Sequence, residues 1–296
     1  TVWSAKNNSC DLPTDCPTRE RHGWTGDAQI FCSTASYLFD YMSFAKKYLN
    51  DMYDWQKPNG KLPQIVPEGG TDSYMKAMDG SVGWADAGVI IPYELWKKYN
   101  DIEIVKKYMS GMRKYTAFMQ KRCGRWYPTA KSTGLKGKEK RYLSNFGQAY
   151  GEWAEPDDVH HMTWKDCAQP HPEVATAYTA YICTIMAEME QALGNFAQSQ
   201  KYLEFADGCK HSYQALCEKK KFSLDTDRQA RLVRPLAFHI LNEGQTKFAK
   251  NRLIQALGAY GWRIGTGFLS TPLILDVLSE IDINYAYRLL ENEEMP

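Results

Sequence analysis

Apolar residues recur every three to four positions along most of the chain. In DAQIFCSTASYLFDYMSFAKKYLNDMY, residues Ile30, Ala35, Leu38, Met42, Ala45 and Leu49 keep helical spacing, which predicts one long amphipathic helix from Asp27 to about Tyr53. A Pro- and Gly-rich connection, WQKPNGKLPQIVPEGG, then interrupts the rhythm. Helical spacing resumes from about Trp84 to Tyr99 and again just after Asn100, and the very short link predicts an antiparallel hairpin. Residues 124–171 mix glycine, proline and charge, and read as a long structured loop or insertion, the kind of segment that often carries function. Beyond it, EVATAYTAYICTIMAEMEQALG closes at Gly194, and FAQSQKYLEFADGCKHSYQALCEKK restarts after a short joint, a second hairpin. Four further segments follow, at about Asp227 to Leu241, Gln245 to Leu257, Leu269 to Ser279 and Ile283 to Leu290. About nine helices and no alternating strand pattern give an all-α class in one domain over 1–296. Repeated helix pairs suggest a toroid or a solenoid, and the lack of a fixed-period repeat lowers the solenoid. In a toroid, loops at one rim converge on one pocket.

Composition changes this picture little. The 296 residues with 44% hydrophobic content can fill a sizeable core. A net charge of +1 supplies no global field toward nucleic acid or an anionic membrane, so neither is expected as a partner. The 9 Trp and 19 Tyr exceed ordinary core filling and suit stacking on flat ligand faces, sugar rings and nucleobases alike. No window approaches 18 consecutive apolar residues, and the first twenty residues lack the pattern of a signal peptide. Eight cysteines without a CxxC pair read as reduced thiols, which favours a cytoplasmic setting.

The chemistry concentrates in DLPTDCPTRERHGWTGD. Asp15, Glu20 and Asp27 place three carboxylates within thirteen residues, among Arg19, Arg21 and Trp24, just before the first long helix. Clustered carboxylates raise each other's pKa and can hold one protonated near neutral pH, as a general acid requires, while an arginine does the opposite. The plain alternative is that Asp27 only caps the helix and the arginines neutralise the rest. An indole beside acids is also what a sugar site needs.

DCPTRERHGWTGDAQ resembles the signature of the bacterial α-L-rhamnosidases, glycoside hydrolase family 78. GWADAGVIIPYELWKKY, YGEW and GFLSTPLILDVLSEIDINYAYRLL are similar to later landmarks of that catalytic domain, in the same order. The resemblance implies an (α/α)6 toroid, incomplete here at both ends, and an inverting hydrolase that removes terminal α-L-rhamnose. It implies Glu20 as general acid, Asp15, Asp27 and Arg19 as hydroxyl ligands, Trp24 as pocket wall, and Gly23 and Gly26 as hinges. By the same likeness Trp84 packs on the sugar ring and Asp86 bonds a hydroxyl or orients the site; a buried indole and a helix N-terminal carboxylate would explain that pair without a ligand. Trp153 would touch sugar or aglycone, whereas Glu152 stands where the family usually has aspartate, and its extra methylene moves the carboxylate. An inverting enzyme needs a second carboxylate roughly 6.5–9.5 Å from the acid. The family's Trp-Glu motif for it is expected beyond Pro296, since Glu280, Glu293 and Glu294 lack a flanking tryptophan and read as solvated charges. Rhamnose-containing glycosides or polysaccharides are the implied partners, no cofactor is implied, and a homodimer of the full-length protein is compatible. Two other readings stand beside this one: a different α/α-toroid glycosidase or phosphorylase, and a non-catalytic sugar-binding or scaffold barrel.

Other motifs carry less. EPDDVHHMTWKDCAQPH gathers Asp157, Asp158, His160, His161, Asp166, Cys167 and His171 without a metal-binding frame, and reads as a loop bordering a cleft. KSTGLKGKEKR reads as a solvated loop tip, GTGFLSTP as a tight turn before a helix, and His239 as a core histidine. No GxSxG motif supports nucleophilic catalysis.

Overall fold

A computed structural model describes residues 1–70 and 75–293. Its helices, in chain order, are α1 (Val2–Asn7), α2 (Thr25–Leu38), α3 (Met42–Asp54), α4 (Ala87–Tyr99), α5 (Ile102–Arg122), α6 (Gly137–Arg141), α7 (Asp157–His160) and α8 (Trp164–Cys167), followed by α9 (Pro172–Ala192), α10 (Phe196–Cys217), α11 (Gln229–Ala237), α12 (Glu243–Ala259), α13 (Thr271–Ile281) and α14 (Ile283–Leu290). Among the described residues there is no strand, only three isolated bridges, so the chain is all-α as its periodicity predicts. Glu294 lies outside the described residues, and Glu280 and Glu293 are exposed.

The chain forms two compact units. The first holds Thr1–Arg122, Gly147–Ala149 and Ile182–Phe205; the second holds Cys123–Phe146, Tyr150–Tyr181 and Ala206–Pro296.

In the first unit the predicted long helix is two helices. Phe39 is extended, and the Tyr41 amide donates to the Tyr99 hydroxyl at 3.0 Å rather than to a helical carbonyl. Helix α4 packs against α2, α3 and α5 and is buried from Ala87 to Pro92 and at Leu95. Its interior Pro92 lacks an N–H, which leaves the Gly88 carbonyl without its helical donor. The Tyr53 hydroxyl donates to that carbonyl at 2.5 Å instead. Helix α4 ends at Asn100 in the left-handed region (φ 53°), and α5 runs back as the expected hairpin. Farther along the chain, Glu190, fully buried, accepts both arms of Arg113 at 2.6 Å and the Asn195 amide at 2.9 Å, fixing the turn that joins α9 to α10.

In the second unit, residues 123–146 close on themselves through the Cys123–Ser144 bridge, over a small core of Leu135, Leu143, Leu216 and Phe222. The rest of the predicted loop, 150–171, carries the short helices α7 and α8. Phe238 stacks on Tyr181 with ring centres 4.5 Å apart and meets Tyr178 edge-on. His239 is not a core residue. Helix α11 stops at Ala237, His239 turns left-handed (φ 49°), and the Ile240 amide returns to the Pro235 carbonyl, so the imidazole faces solvent.

Candidate functional site

The loop from Asp15 to Trp24 is held by reciprocal bonds. The Asp15 amide donates to the His22 carbonyl, and the His22 amide donates to Asp15 Oδ1, both at 3.0 Å. Gly23 lies so close to the Val66 carbonyl that no side chain would fit, and the Val66 amide donates to the Gly23 carbonyl at 2.8 Å. Tyr48, buried in α3, donates to the same carbonyl at 2.8 Å. The loop is thereby anchored on the core at its glycine, while Arg19 and Arg21 extend into solvent.

Glu20 sits at the centre of this loop. Its Oε2 accepts the Trp24 indole N–H at 2.7 Å, and its Oε1 accepts from Arg19 at 2.9 Å. The Glu20 amide donates to Cys16 Sγ at 3.2 Å. Arg19 is 83% exposed, so water screens its pull on the carboxylate. Asp27 lies in the first turn of α2. Burial, then the negative charge of Asp15, and more weakly that of Glu20, push its carboxyl up to about 7, against the lowering effect of its own backbone N–H. Asp15, Glu20 and Asp27 therefore share one electrostatic environment, with Trp24 and Arg19 in contact with Glu20. The cap position of α2 belongs to Trp24, not to Asp27.

Trp84 reaches the same helix. Its indole lies against Gly26, where an added Cβ would fall inside the ring's contact distance. Gly26 is thus a helical residue that gives room for an indole, a correction to its expected part as a hinge. Asp86 builds the turn that presents Trp84: its Oδ2 accepts the Gly83 amide and its Oδ1 the Tyr115 hydroxyl, both at 2.7 Å. Gln29 of α2 donates to the Gly83 carbonyl at 2.5 Å and ties the turn to the helix. Asp86 is fully buried, and burial raises its carboxyl to about 6 despite those two bonds and the nearby Arg122. With both oxygens taken by protein donors, Asp86 stands as the support of Trp84.

Trp153 belongs to the second unit. Both it and Ala154 are left-handed (φ 52° and 54°), and the Trp153 carbonyl accepts the Phe268 amide at 2.8 Å. Its half-buried ring meets Tyr150 at 5.7 Å and the exposed Trp164 at 5.4 Å. The preceding Glu152 is fully buried: Arg234 donates to its Oε2, the Ser270 amide to its Oε1 at 2.7 Å and the Ser270 hydroxyl to its Oε2 at 2.9 Å. Burial raises its carboxyl, and Arg234 opposes that rise.

Sequence reasoning passed over the partner set. Arg228, Arg231 and Arg234 are three residues apart, one at the cap and two inside α11. Arg228 grips Glu155 through two nitrogens and also reaches Glu173 at 3.3 Å, while Arg231 lies 3.1 Å from the other Glu173 oxygen. Burial alone would raise Glu173, but the three arginines hold it down at about 2. The visible signal was RQARLVR, three cations on one helical face inside an apolar segment.

The acidic and histidine-rich stretch 155–171 assembles no metal site: among the described residues, no group of three His, Cys, Asp or Glu is placed to hold an ion. Asp166 caps its own helix through Thr163, and Asp158 accepts the Tyr260 hydroxyl at 2.8 Å. Among the described residues no helix is long and apolar enough to cross a membrane, and all eight cysteines are free thiols.

Comparison with known proteins agrees with the helical class. Residues 1–296 match the family described as the bacterial alpha-L-rhamnosidase 6 hairpin glycosidase domain, whose helical hairpins fit the (α/α)6 class expected from the sequence. The chain is 28% identical to an α-L-rhamnosidase of Streptomyces avermitilis over 100% of its own length and 26% of the relative's. The crystal structure of that organism's α-L-rhamnosidase, complexed with L-rhamnose, superposes with a TM-score of 0.79, again over 100% of this chain and 26% of the other. An α-L-rhamnosidase of Formosa agariphila is 33% identical over 99% of this chain and 30% of its own. The structure of α-L-rhamnosidase from Dictyoglumus thermophilum gives a TM-score of 0.82 at 26% identity, over 100% and 31%. The chain thus spans about a quarter to a third of the length of the relatives it matches.

Proposed function

The chain belongs to the bacterial α-L-rhamnosidase six-hairpin glycosidase family, and on that premise we propose that the protein hydrolyses terminal α-L-rhamnosides with inversion, Glu20 supplying the proton to the departing oxygen. The bond from the anomeric carbon to the glycosidic oxygen breaks as that oxygen takes the Glu20 proton. Water adds from the opposite face and gives its own proton to a second carboxylate. The observation that carries this reading is the carboxyl of Glu20, half-exposed and oriented at 2.7 Å by the Trp24 indole, within electrostatic reach of Asp27, whose own carboxyl is pushed up to about 7. Trp24 supplies apolar surface for a sugar ring and its methyl group, and Asp15, Asp27 and Arg19 supply partners for hydroxyls; Trp84, expected on the ring, is only 4% exposed and backs the site from within the core.

A second reading rests on Asp27. It is the carboxyl whose surroundings hold a proton up to about 7, so it could itself be the donor while Glu20 binds a hydroxyl. Leaving-group dependence separates the two. If Glu20 donates, Glu20→Gln loses roughly 10²–10⁴-fold in kcat on alkyl rhamnosides and far less on a nitrophenyl rhamnoside, whose leaving group needs no proton. Asp27→Asn would then lose equally on both. The reverse pattern assigns the proton to Asp27, and full activity of both variants on alkyl rhamnosides overturns both assignments.

A further inference from the structure

The basic run within residues 131–141 takes no part in the proposed reaction, and in the second unit it borders a cavity. That cavity, of about 240 Å³ and partly open, is lined by residues between Gly124 and Asn145, including Arg125, Trp126, Lys131, Ser132, Thr133 and Lys140. We infer that it is a binding site for a single sugar ring carrying an anionic group, a carboxylate or a sulfate ester.

Volume sets the size of the ligand. Sites for drug-sized molecules run to about 300–1,000 Å³, so this one suits one ring. Charge sets the sign. Three cations line the cavity, no carboxylate does, and neither Arg125, Lys131 nor Lys140 forms a salt bridge among the described residues. Asp166 feels Lys131 only through longer-range attraction. Trp126 sets the shape: it lines the cavity and is 75% exposed, a flat apolar face that a sugar ring would cover. Ser132 and Thr133 accept only long bonds from the backbone of their own turn, 3.4 and 3.5 Å, which leaves both hydroxyl protons for a ligand.

The frame is fixed as a binding site requires. Leu135 and Leu143 root the floor in the small core with Leu216 and Phe222. Tyr127 packs on Phe146 at 5.0 Å, the Arg125 guanidinium lies 5.9 Å from the same Phe146 ring, and Asn145 Nδ2 donates to the Lys131 carbonyl at 3.2 Å. The basic run is largely exposed, as expected of a solvated loop tip, and two of its cations, Lys131 and Lys140, also line this mixed aromatic and cationic cavity.

Isothermal titration of the chain with D-glucuronate, D-glucose 6-sulfate and D-glucose tests the inference. At least one anionic sugar should bind in the millimolar range, ten-fold or more tighter than glucose, and the two anionic arms tell carboxylate from sulfate. Raising salt should weaken binding, and L-rhamnose should not compete. Trp126→Ala should weaken it at least ten-fold with an unchanged circular dichroism spectrum, because the exposed ring supports no core. Arg125→Gln with Lys131→Gln should remove the preference for the anionic sugar. Equal binding of glucose, no binding of either anionic sugar, or unaltered binding by Trp126→Ala would overturn it.

Discussion

The indole Nε1–H of Trp24 donates to Oε2 of Glu20 at 2.7 Å and so orients the carboxyl four positions before it. A hydrogen bond to a charged group contributes about 1.5–3 kcal/mol, which corresponds to about 10- to 150-fold in rate when it positions a reacting group. Trp24→Phe keeps an aromatic plate and removes the donor. Steady-state kinetics should show kcat lowered within that range with KM changed much less; a rise in KM alone would give Trp24 a purely binding part.

The Asp27 carboxyl, raised to about 7 from 3.8, makes a prediction about pH. Between those values the folded state holds a proton that the unfolded chain has released, so stability falls as pH rises through the folded value. Asp86 acts in the same direction up to about 6, as does the raised Glu152, while His160 and His171, pushed down by burial, act oppositely below the usual histidine value. Over the interval from about 6 to 7, the difference between wild type and Asp27→Asn isolates the part of Asp27. Thermal unfolding of the wild type should drop across that interval, and Asp27→Asn should flatten it. An unchanged slope in the variant would remove Asp27 as the source.

Glu152 and Arg234 form a buried ion pair with side-chain exposures of 0% and 1%. Removing one partner leaves the other charge buried and unpaired, a loss of about 3–5 kcal/mol. Denaturant unfolding of Glu152→Gln should show a loss of that order. The double variant with Arg234→Met should recover much of it, since no charge is then left unpaired and the glutamine amide oxygen can still accept from Ser270. Equal stability of Glu152→Gln and wild type would contradict the buried pairing.

Tyr53 and Pro92 give a cycle of a different kind. Tyr53→Phe leaves the Gly88 carbonyl without a donor and should cost about 1–3 kcal/mol. In a Pro92→Ala background the helix regains its own N–H, and the same Tyr53 substitution should cost clearly less. Additive losses in the two backgrounds would show that the hydroxyl does not replace the missing amide.

Much of the chain was legible in advance for local reasons. Helices α9 and α10 fall within about three residues of their predicted ends, because a long apolar repeat and a glycine at Gly194 (φ 78°) are local signals. The cluster Asp15, Glu20, Trp24 and Asp27 was also visible, since its members are close in sequence and meet within one loop and one helical turn. The break at Tyr41 was not legible. The apolar phase from Ile30 to Leu49 runs straight through it, and the bond that makes it stops at Tyr99, 58 residues away. His239 failed for the same reason, because its apolar neighbours continue a pattern that the backbone has already left.

By itself the sequence determined helical class, the order of the helices and the clustering of Asp15, Glu20 and Asp27, all of which depend on spacing within about twenty residues; the choice of Glu20 among the three rests on the family resemblance. Only tertiary structure decided which carboxylates are spent on the protein. Asp86 and Glu152 read like Asp27 along the chain, yet Tyr115 and Gly83 occupy the first, and Arg234 and Ser270 the second. Burial and partners across the fold set the cost of each charge, and neither is written in a residue's immediate neighbours.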